Sequence, residues 1–182
     1  MRIISGRFRR RVLSSPDGNG IRPTTDRTRE SMFNIISSRM DLDGAHVADL
    51  YCGSGSLGLE AWSRGAAMVH FVDRDPDALS LARKNAYALE EHAPCRFVKD
   101  RAANWLSTQP EEAYDLILAD PPYDAQDLTG LIERTLRVVK PTGLFILEHD
   151  RSVQIEERPE LLFTRKYGKT ALSVFGPELD QE

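Results

Sequence analysis

From residue 47 onward, short apolar runs alternate with segments whose apolar positions recur at helical spacing. The runs at residues 47–50, 68–72, 95–98, 116–119 and 144–147 read as strands, and the run at 116–119, apolar at every position, reads as a buried one. Between them, residues 57–63, 77–90, 101–107 and about 128–139 read as helices. Strands alternating with helices predict crossover connections and a parallel sheet covered on both sides. The period changes near the end, where residues 161–166 and 171–175 predict a closing hairpin around Gly168. Ahead of the alternating region, residues 2–4 and 8–13 predict a small hairpin about Ser5-Gly6, followed by a turn-rich stretch at 14–25. Met32, Phe33, Ile35, Ile36 and Met40 then predict a helix over residues 26–40, with Thr25 as its N-cap.

Composition changes this picture little. With 182 residues, 41% hydrophobic and 29% charged, the chain reads as one ordinary globular domain with a proper core. No apolar run approaches the roughly 18 residues that span a bilayer, and the basic start lacks the apolar stretch of a signal peptide. Cys52 and Cys95 offer no disulfide framework, and His46, His70 and His92 show no ligand spacing. The expectation is a cytoplasmic, metal-free protein with reduced thiols and no membrane partner.

Charge changes it more. The net charge is −4, but residues 1–30 carry eight arginines against Asp17, Asp26 and Glu30, a net +5 that leaves −9 on the remainder. That polarity predicts a cationic arm on an acidic body. Arginine grips phosphate with a planar fork of donors, so Arg7, Arg9, Arg10, Arg11, Arg22, Arg27 and Arg29 are candidate RNA-binding residues. A basic surface facing only solvent has the same composition, and Arg27 could instead pair with a carboxylate of the core.

Two motifs carry chemistry. Asp49-Leu50-Tyr51-Cys52-Gly53-Ser54-Gly55-Ser56-Leu57-Gly58 joins the first core strand to its helix, and an open α/β sheet binds ligands at such a place. The glycine spacing matches a dinucleotide fingerprint, with Asp73 positioned 20 residues after Gly53 for ribose hydroxyls. A carboxylate on the ribose serves S-adenosylmethionine equally well. Asp49 would repel a pyrophosphate but suits a cationic amino or sulfonium group, which favours the methyl donor. Asp120-Pro121-Pro122-Tyr123 follows the fourth apolar run, where prolines end the sheet and present a carboxylate, a proline carbonyl and a ring. Two acceptors and a ring suit the exocyclic amino group of a flat base.

These residues resemble the RsmD-type family of bacterial 16S ribosomal RNA guanine-N2 methyltransferases, those acting on guanine(966). The resemblance rests on Arg2-Ile3-Ile4-Ser5-Gly6, Arg22-Pro23-Thr24-Thr25-Asp26-Arg27, Phe33-Asn34, the glycine loop with Leu59-Glu60-Ala61, Ser63-Arg64-Gly65-Ala66, the Asp120 tetrapeptide and Tyr167-Gly168-Lys169-Thr170-Ala171-Leu172. It implies a Rossmann-like class I methyltransferase fold. That fold has a mostly parallel seven-stranded sheet with an antiparallel C-terminal strand, plus a small N-terminal extension. The expected division is a basic arm at 1–25, a methyltransferase domain at 26–177 and an acidic tail at 178–182.

The resemblance also implies roles. Asp49, Gly53 and Gly55, with Ser54, would hold the methionine end of S-adenosylmethionine. Asp73 would take its ribose and Asp100 would lie beside its adenine, with Arg74 and Arg101 adjoining. Asp120, Pro121 and Tyr123 would receive the guanine. Cys52 stands where the family commonly has alanine and Thr28 where it has valine. Glu148-His149 follow the fifth strand, and a supporting role is expected of them. The implied partner is 16S rRNA in a small ribosomal subunit or its assembly intermediate, met by a monomer. The Asp120 motif also serves enzymes of adenine N6 and protein glutamine, and a non-catalytic RNA-binding assembly factor is a further alternative.

Overall fold

A computed structural model describes residues 1–15, 26–122 and 127–177. Five helices and seven strands follow in the order α1 (Asp26–Ser37), β1 (His46–Leu50), α2 (Ser56–Ser63), β2 (Met68–Asp73), α3 (Pro76–Leu89), β3 (Cys95–Lys99), α4 (Ala102–Thr108), β4 (Tyr114–Ala119), α5 (Leu128–Val138), β5 (Val139–Asp150), β6 (Leu161–Tyr167) and β7 (Thr170–Phe175). They form one sheet with strand order β3-β2-β1-β4-β5-β7-β6. β3, β2, β1, β4 and β5 pair in parallel, whereas β7 is antiparallel to both of its neighbours, β5 and β6. Chain order reverses direction between β1 and β4, the switch point at which open α/β sheets bind ligands.

The sheet separates two cores. Met32 and Phe33 of α1, Leu59 and Trp62 of α2, and Leu79 and Ala82 of α3 cover one face. Trp105 and Leu106 of α4, with Leu131 and Ile132 of α5, cover the other. Successive strand residues point to opposite faces, and the central strands are buried on both, as residues 47–50 of β1 and 116–119 of β4 are, with Asp49 the one polar residue among them. Edge strand β6 instead exposes Thr164, Arg165 and Lys166, and such charges discourage a further strand from adding there.

Local chemistry sets the boundaries. Asp75 caps α3 by accepting the Asp77 N–H at 2.9 Å, with Pro76 in the first turn, and Asp127 caps α5 through the Gly130 N–H at 2.7 Å. Thr25, the expected cap of α1, lies outside the described residues, and α1 ends at Ser37 rather than at residue 40. β5 is longer than its apolar run predicts. It begins at Val139, directly after α5, and continues through Lys140 and Pro141 across a pairing irregularity, with the Lys140 ammonium 2.7 Å from the Asp115 carboxylate. Among the described residues, no helix is long and apolar enough to cross a membrane.

The amino-terminal segment is hairpin-like rather than a regular hairpin. One antiparallel bridge joins Arg2 to Val12, and the segment docks on the domain through buried Ile3, Phe8 and Leu13. Its backbone is tied to α2, where Glu60 accepts the Ile4 and Ser5 N–H groups at 2.7 and 3.0 Å. The Ser63 hydroxyl accepts from Phe8 N–H and donates to the Ser5 carbonyl. Gly6, at φ +81, lies so close that an added Cβ would stand 1.9 Å from the Ser63 carbonyl oxygen.

Candidate active site

The expected donor residues converge at the carboxyl ends of β1, β2 and β3. Asp49 sits inside β1 at 1% exposure, and its Oδ2 accepts the Gly58 N–H at 2.8 Å. Gly55, the N-cap of α2, offers no side-chain acceptor, so Asp49 supplies from the neighbouring strand the bond that a capping serine would make. Tyr51 adopts φ +57 at the head of the loop, an unfavourable conformation for a non-glycine residue. The Gly55 N–H then closes a tight turn on the Cys52 carbonyl at 2.7 Å. A Cβ on Gly53 would meet nothing within 4 Å, whereas one on Gly58 would reach 2.4 Å from the Phe71 ring. The loop therefore rests hard against β2 below and faces open space above.

Asp73 ends β2 and closes the loop from the side, its Oδ2 accepting the Gly53 N–H at 3.0 Å and its Oδ1 the Asp75 N–H at 2.9 Å. Asp100 lies just beyond β3, with its N–H on the Asp73 carbonyl and its Oδ1 accepting from Arg101 N–H and the Asn104 amide. Arg74 and Arg101 are exposed beside these two carboxylates. Ser54 is held by Asn85 of α3, whose amide donates to the Ser54 and Ser14 carbonyls while its oxygen accepts the Ser14 N–H.

Asp120 follows β4, and its N–H reaches the Leu50 carbonyl at 3.5 Å. It therefore enters the switch point beside the glycine loop. Pro121 is buried and Pro122 exposed, while Tyr123 lies outside the described residues. Asp49 feels both Asp120 and Asp73. Burial, and then those two carboxylates, push its carboxyl well above the usual range against the opposing Gly58 hydrogen bond. Among the described residues no cation pairs with Asp49. A buried carboxylate with two acidic neighbours and no counter-charge favours a cationic ligand, so the residues present fit the amino and sulfonium groups of S-adenosylmethionine. Cys52 is held as a neutral thiol, its pKa raised by burial and by Asp49 and Asp73, which makes it a packed side chain and not a nucleophile.

The candidate RNA residues divide. Arg9, Arg10 and Arg27 are exposed and form no ion pair among the described residues. Arg7 pairs with Glu90 at 2.8 Å and lies over the Phe8 ring, and Arg11 donates to the Ala88 carbonyl. Arg29 is wholly buried, donating to the Arg2 carbonyl and to Asp26, with Glu60 nearby. This placement gives it a structural task rather than a phosphate to hold. Arg22 lies outside the described residues. Glu148 and His149 are buried and bind β7, Glu148 accepting from the Thr170 hydroxyl and His149 Nε2 contacting Ser173 Oγ at 2.8 Å.

Sequence reasoning gave no role to Tyr51, Glu60 or Asn85, although the first two lie within its motifs. Glu60 and Asn85 act through partners more than thirty positions away, which no local pattern reveals. Tyr51 carried one signal, a bulky residue directly before a glycine turn.

The comparisons agree with this geometry. Residues 1–176 match the family model described as conserved hypothetical protein 95. The "Putative rRNA methyltransferase YlbH" of Bacillus subtilis (strain 168) is 37% identical over 182 residues, covering 96% of this chain and 98% of that protein. "Ribosomal RNA small subunit methyltransferase D" of Escherichia coli (strain K12) is 36% identical over 143 residues, covering 79% and 68%. The solved "Putative methyltransferase yhhF from Escherichia coli" superimposes with a TM-score of 0.81 at 29% identity, covering 96% of each chain. A buried carboxylate behind a glycine loop, an Asp-Pro-Pro segment one strand away and matches along nearly the whole length have one common reading: the chain belongs to the RsmD-type family of S-adenosylmethionine-dependent rRNA methyltransferases.

Proposed function

We propose that the chain methylates the exocyclic N2 of a guanine in 16S rRNA, guanine(966) in the family's numbering of its target, acting as a monomer on a small subunit or its assembly intermediate. The observation that carries this reading is the Asp120 N–H on the Leu50 carbonyl, which sets the Asp120-Pro121 acceptors beside the donor loop. When bound, S-adenosylmethionine supplies a methyl group on a positively charged sulfur. Asp49 would balance the positive charge of the donor, Asp73 would accept from the ribose hydroxyls and Asp100 from the adenine edge. Ser54, held by Asn85, keeps the glycine loop in place.

The guanine amino nitrogen is a poor nucleophile because its lone pair is delocalised into the ring. The Asp120 carboxylate and the Pro121 carbonyl accept its two N–H protons, which favours a pyramidal nitrogen with its lone pair free to attack. Acceptors fixed where positive charge develops act by electrostatic preorganisation, and alignment of the two reactants lowers the barrier further. After transfer the excess proton leaves the nitrogen to Asp120 or to water. Tyr123 stacks on the base, worth about 1–3 kcal/mol per base in single-strand binders. A base stacked in a duplex cannot enter, so the target is looped or flipped out.

The test incubates the full chain with labelled S-adenosylmethionine and methyl-deficient small subunits, then maps the label by mass spectrometry. Label on a guanine N2, abolished by Asp120→Ala with donor affinity retained, supports the proposal. Label on adenine N6 or on a protein, or full turnover by Asp120→Ala, overturns it.

A further inference from the structure

A cavity of about 530 Å³ opens on the opposite side of β4 from the donor loop. Arg27 and Thr28 line it from the first turn of α1, Glu148 from near the end of β5, Lys166 and Tyr167 from the end of β6, and Lys169 from the β6–β7 turn. Its size falls within the roughly 300–1,000 Å³ of pockets that take small molecules. None of the residues expected to hold the donor lines it.

Register fixes its place relative to the chemistry. Ala119 of β4 pairs with Leu147 of β5, so Asp120 and Glu148 are the next residues along two neighbouring strands. Neighbouring strands lie about 4.8 Å apart, so the cavity begins one strand beyond the Asp120 acceptors. In sheet order the donor carboxylates on β1 and β2 lie to one side of β4, and this cavity lies to the other. A polymer whose reacting base sits at Asp120 must continue on the side the donor leaves open.

The lining suits a nucleotide. Arg27, Lys166 and Lys169 are exposed and enter no ion pair among the described residues. Arg27 comes from α1 and the two lysines from the β6–β7 hairpin, so two elements distant in sequence bring their cations to one opening. Glu148, by contrast, is buried and braced by the Thr170 hydroxyl at 3.0 Å, which makes it a fixed acceptor at the inner end. Tyr167 is half-buried and adds an aromatic face. Gly168, at φ +58 with nothing within 4 Å of an added Cβ, turns the hairpin tightly and keeps its tip open. Cations at the mouth, a ring on the wall and an acceptor within match a phosphodiester, a base face and a base edge.

We propose that this cavity receives the nucleotide adjoining the target guanine in a single-stranded RNA segment, with its phosphates on Arg27, Lys166 and Lys169 and its base against Tyr167. The proposal rests on RNA being the acceptor, and its test separates the two. Binding of the full chain to methyl-deficient small subunits is measured across a salt series for wild type, Lys166→Ala/Lys169→Ala, Lys166→Arg/Lys169→Arg and Tyr167→Phe. Loss of two single-strand phosphate contacts flattens the log–log salt slope by about 1.4. At moderate salt the KM for subunits rises about tenfold, with melting temperature and donor affinity unchanged. The arginine pair restores slope and KM, and phenylalanine retains stacking. An unchanged slope and KM in the alanine pair, while wild type methylates guanine N2, overturns the cavity assignment alone. A flattened slope with label on some other acceptor keeps the cavity as an RNA site and overturns the guanine reading.

Discussion

Replacing Glu60 with alanine tests whether the arginine-rich segment is a working part of the domain. Glu60 is wholly buried, yet it accepts from Ile4 N–H, Ser5 N–H and Arg64 Nε at 2.7, 3.0 and 2.8 Å and lies close to the buried Arg29. Its ion pair with Arg64, whose side chain is 15% exposed, is sheltered enough that removing one partner costs about 3–5 kcal/mol. Ile4 and Ser5 are half-buried, so their orphaned N–H groups can find water and add only about 1 kcal/mol in total, the low end for an unmade bond. The expected loss is therefore about 4–6 kcal/mol, and for a chain of this size each kcal/mol lowers Tm by about 2–4 °C, which gives roughly 8–24 °C. Glu60→Gln keeps one acceptor and gives an intermediate loss, which keeps the test usable if the alanine variant fails to fold. Thermal melting gives the magnitude. Limited trypsinolysis gives the location, since release of the segment opens new cuts at Arg7, Arg9, Arg10 and Arg11 before the core is cleaved. A Tm within 2 °C of wild type, or an unchanged tryptic pattern, would refute the view that Glu60 fastens this segment.

Other expectations follow from the site. Asp49→Asn retains an acceptor for the Gly58 N–H but removes the charge that faces the donor, so S-adenosylmethionine affinity drops about 10–100-fold with little change in Tm. Because burial raises the Asp49 pKa and a cation lowers it, donor binding expels a proton and tightens as pH rises through the raised pKa. Calorimetry in buffers of different ionisation enthalpy checks this, and a buffer-independent heat would count against Asp49 as the counter-charge. Gly58→Ala drives a methyl group into the Phe71 ring, itself stacked on Phe97, and costs about 1–3 kcal/mol by overpacking, seen as a lower Tm.

Most of the architecture was legible because the central strands are largely buried and therefore stand out as short, mostly apolar pieces between segments of helical spacing. Asp73, Asp100 and Asp120 were legible for a related reason, since a charge at the end of such a run marks where the sheet meets solvent, whereas Asp49, buried within β1, was legible by its place ahead of the glycine turn. The arginines were not. A count of charges in residues 1–30 cannot separate Arg29, neutralised in the interior by Asp26 and Glu60, from Arg9 and Arg10, which face water. Their difference is made by helix α2, which the chain reaches only later. The early part of β5 was hidden for the opposite reason. Lys140, Pro141 and Gly143 look like a turn in sequence, but pairing with β4 and the Asp115 contact hold them extended. Lys166 and Lys169 looked like hairpin decoration until β7 folded back beside β5 and carried them to the mouth of a cavity.

The distribution of charge over the finished sheet explains how one site can accept a polyanion and a cation together. Asp73, Asp49, Asp120 and Glu148 come from β2, β1, β4 and β5, four successive strands in sheet order, all at or near their carboxyl ends. At a spacing of about 4.8 Å per strand they form a negative floor some 15 Å long. A phosphate driven onto that floor would meet several carboxylates in a sheltered environment, where charge repulsion is strong. The exposed cations stand away from it, Arg27, Lys166 and Lys169 at the cavity mouth and Arg9 and Arg10 on the docked segment. Under the proposed function this arrangement sorts the substrate by charge, with backbone held at the rim and only the uncharged base and cationic donor entering. Rising salt should then weaken RNA binding steeply, because exposed contacts are screened, while donor affinity changes far less. Parallel salt dependence of the two affinities would show that the floor and the rim are not separate environments.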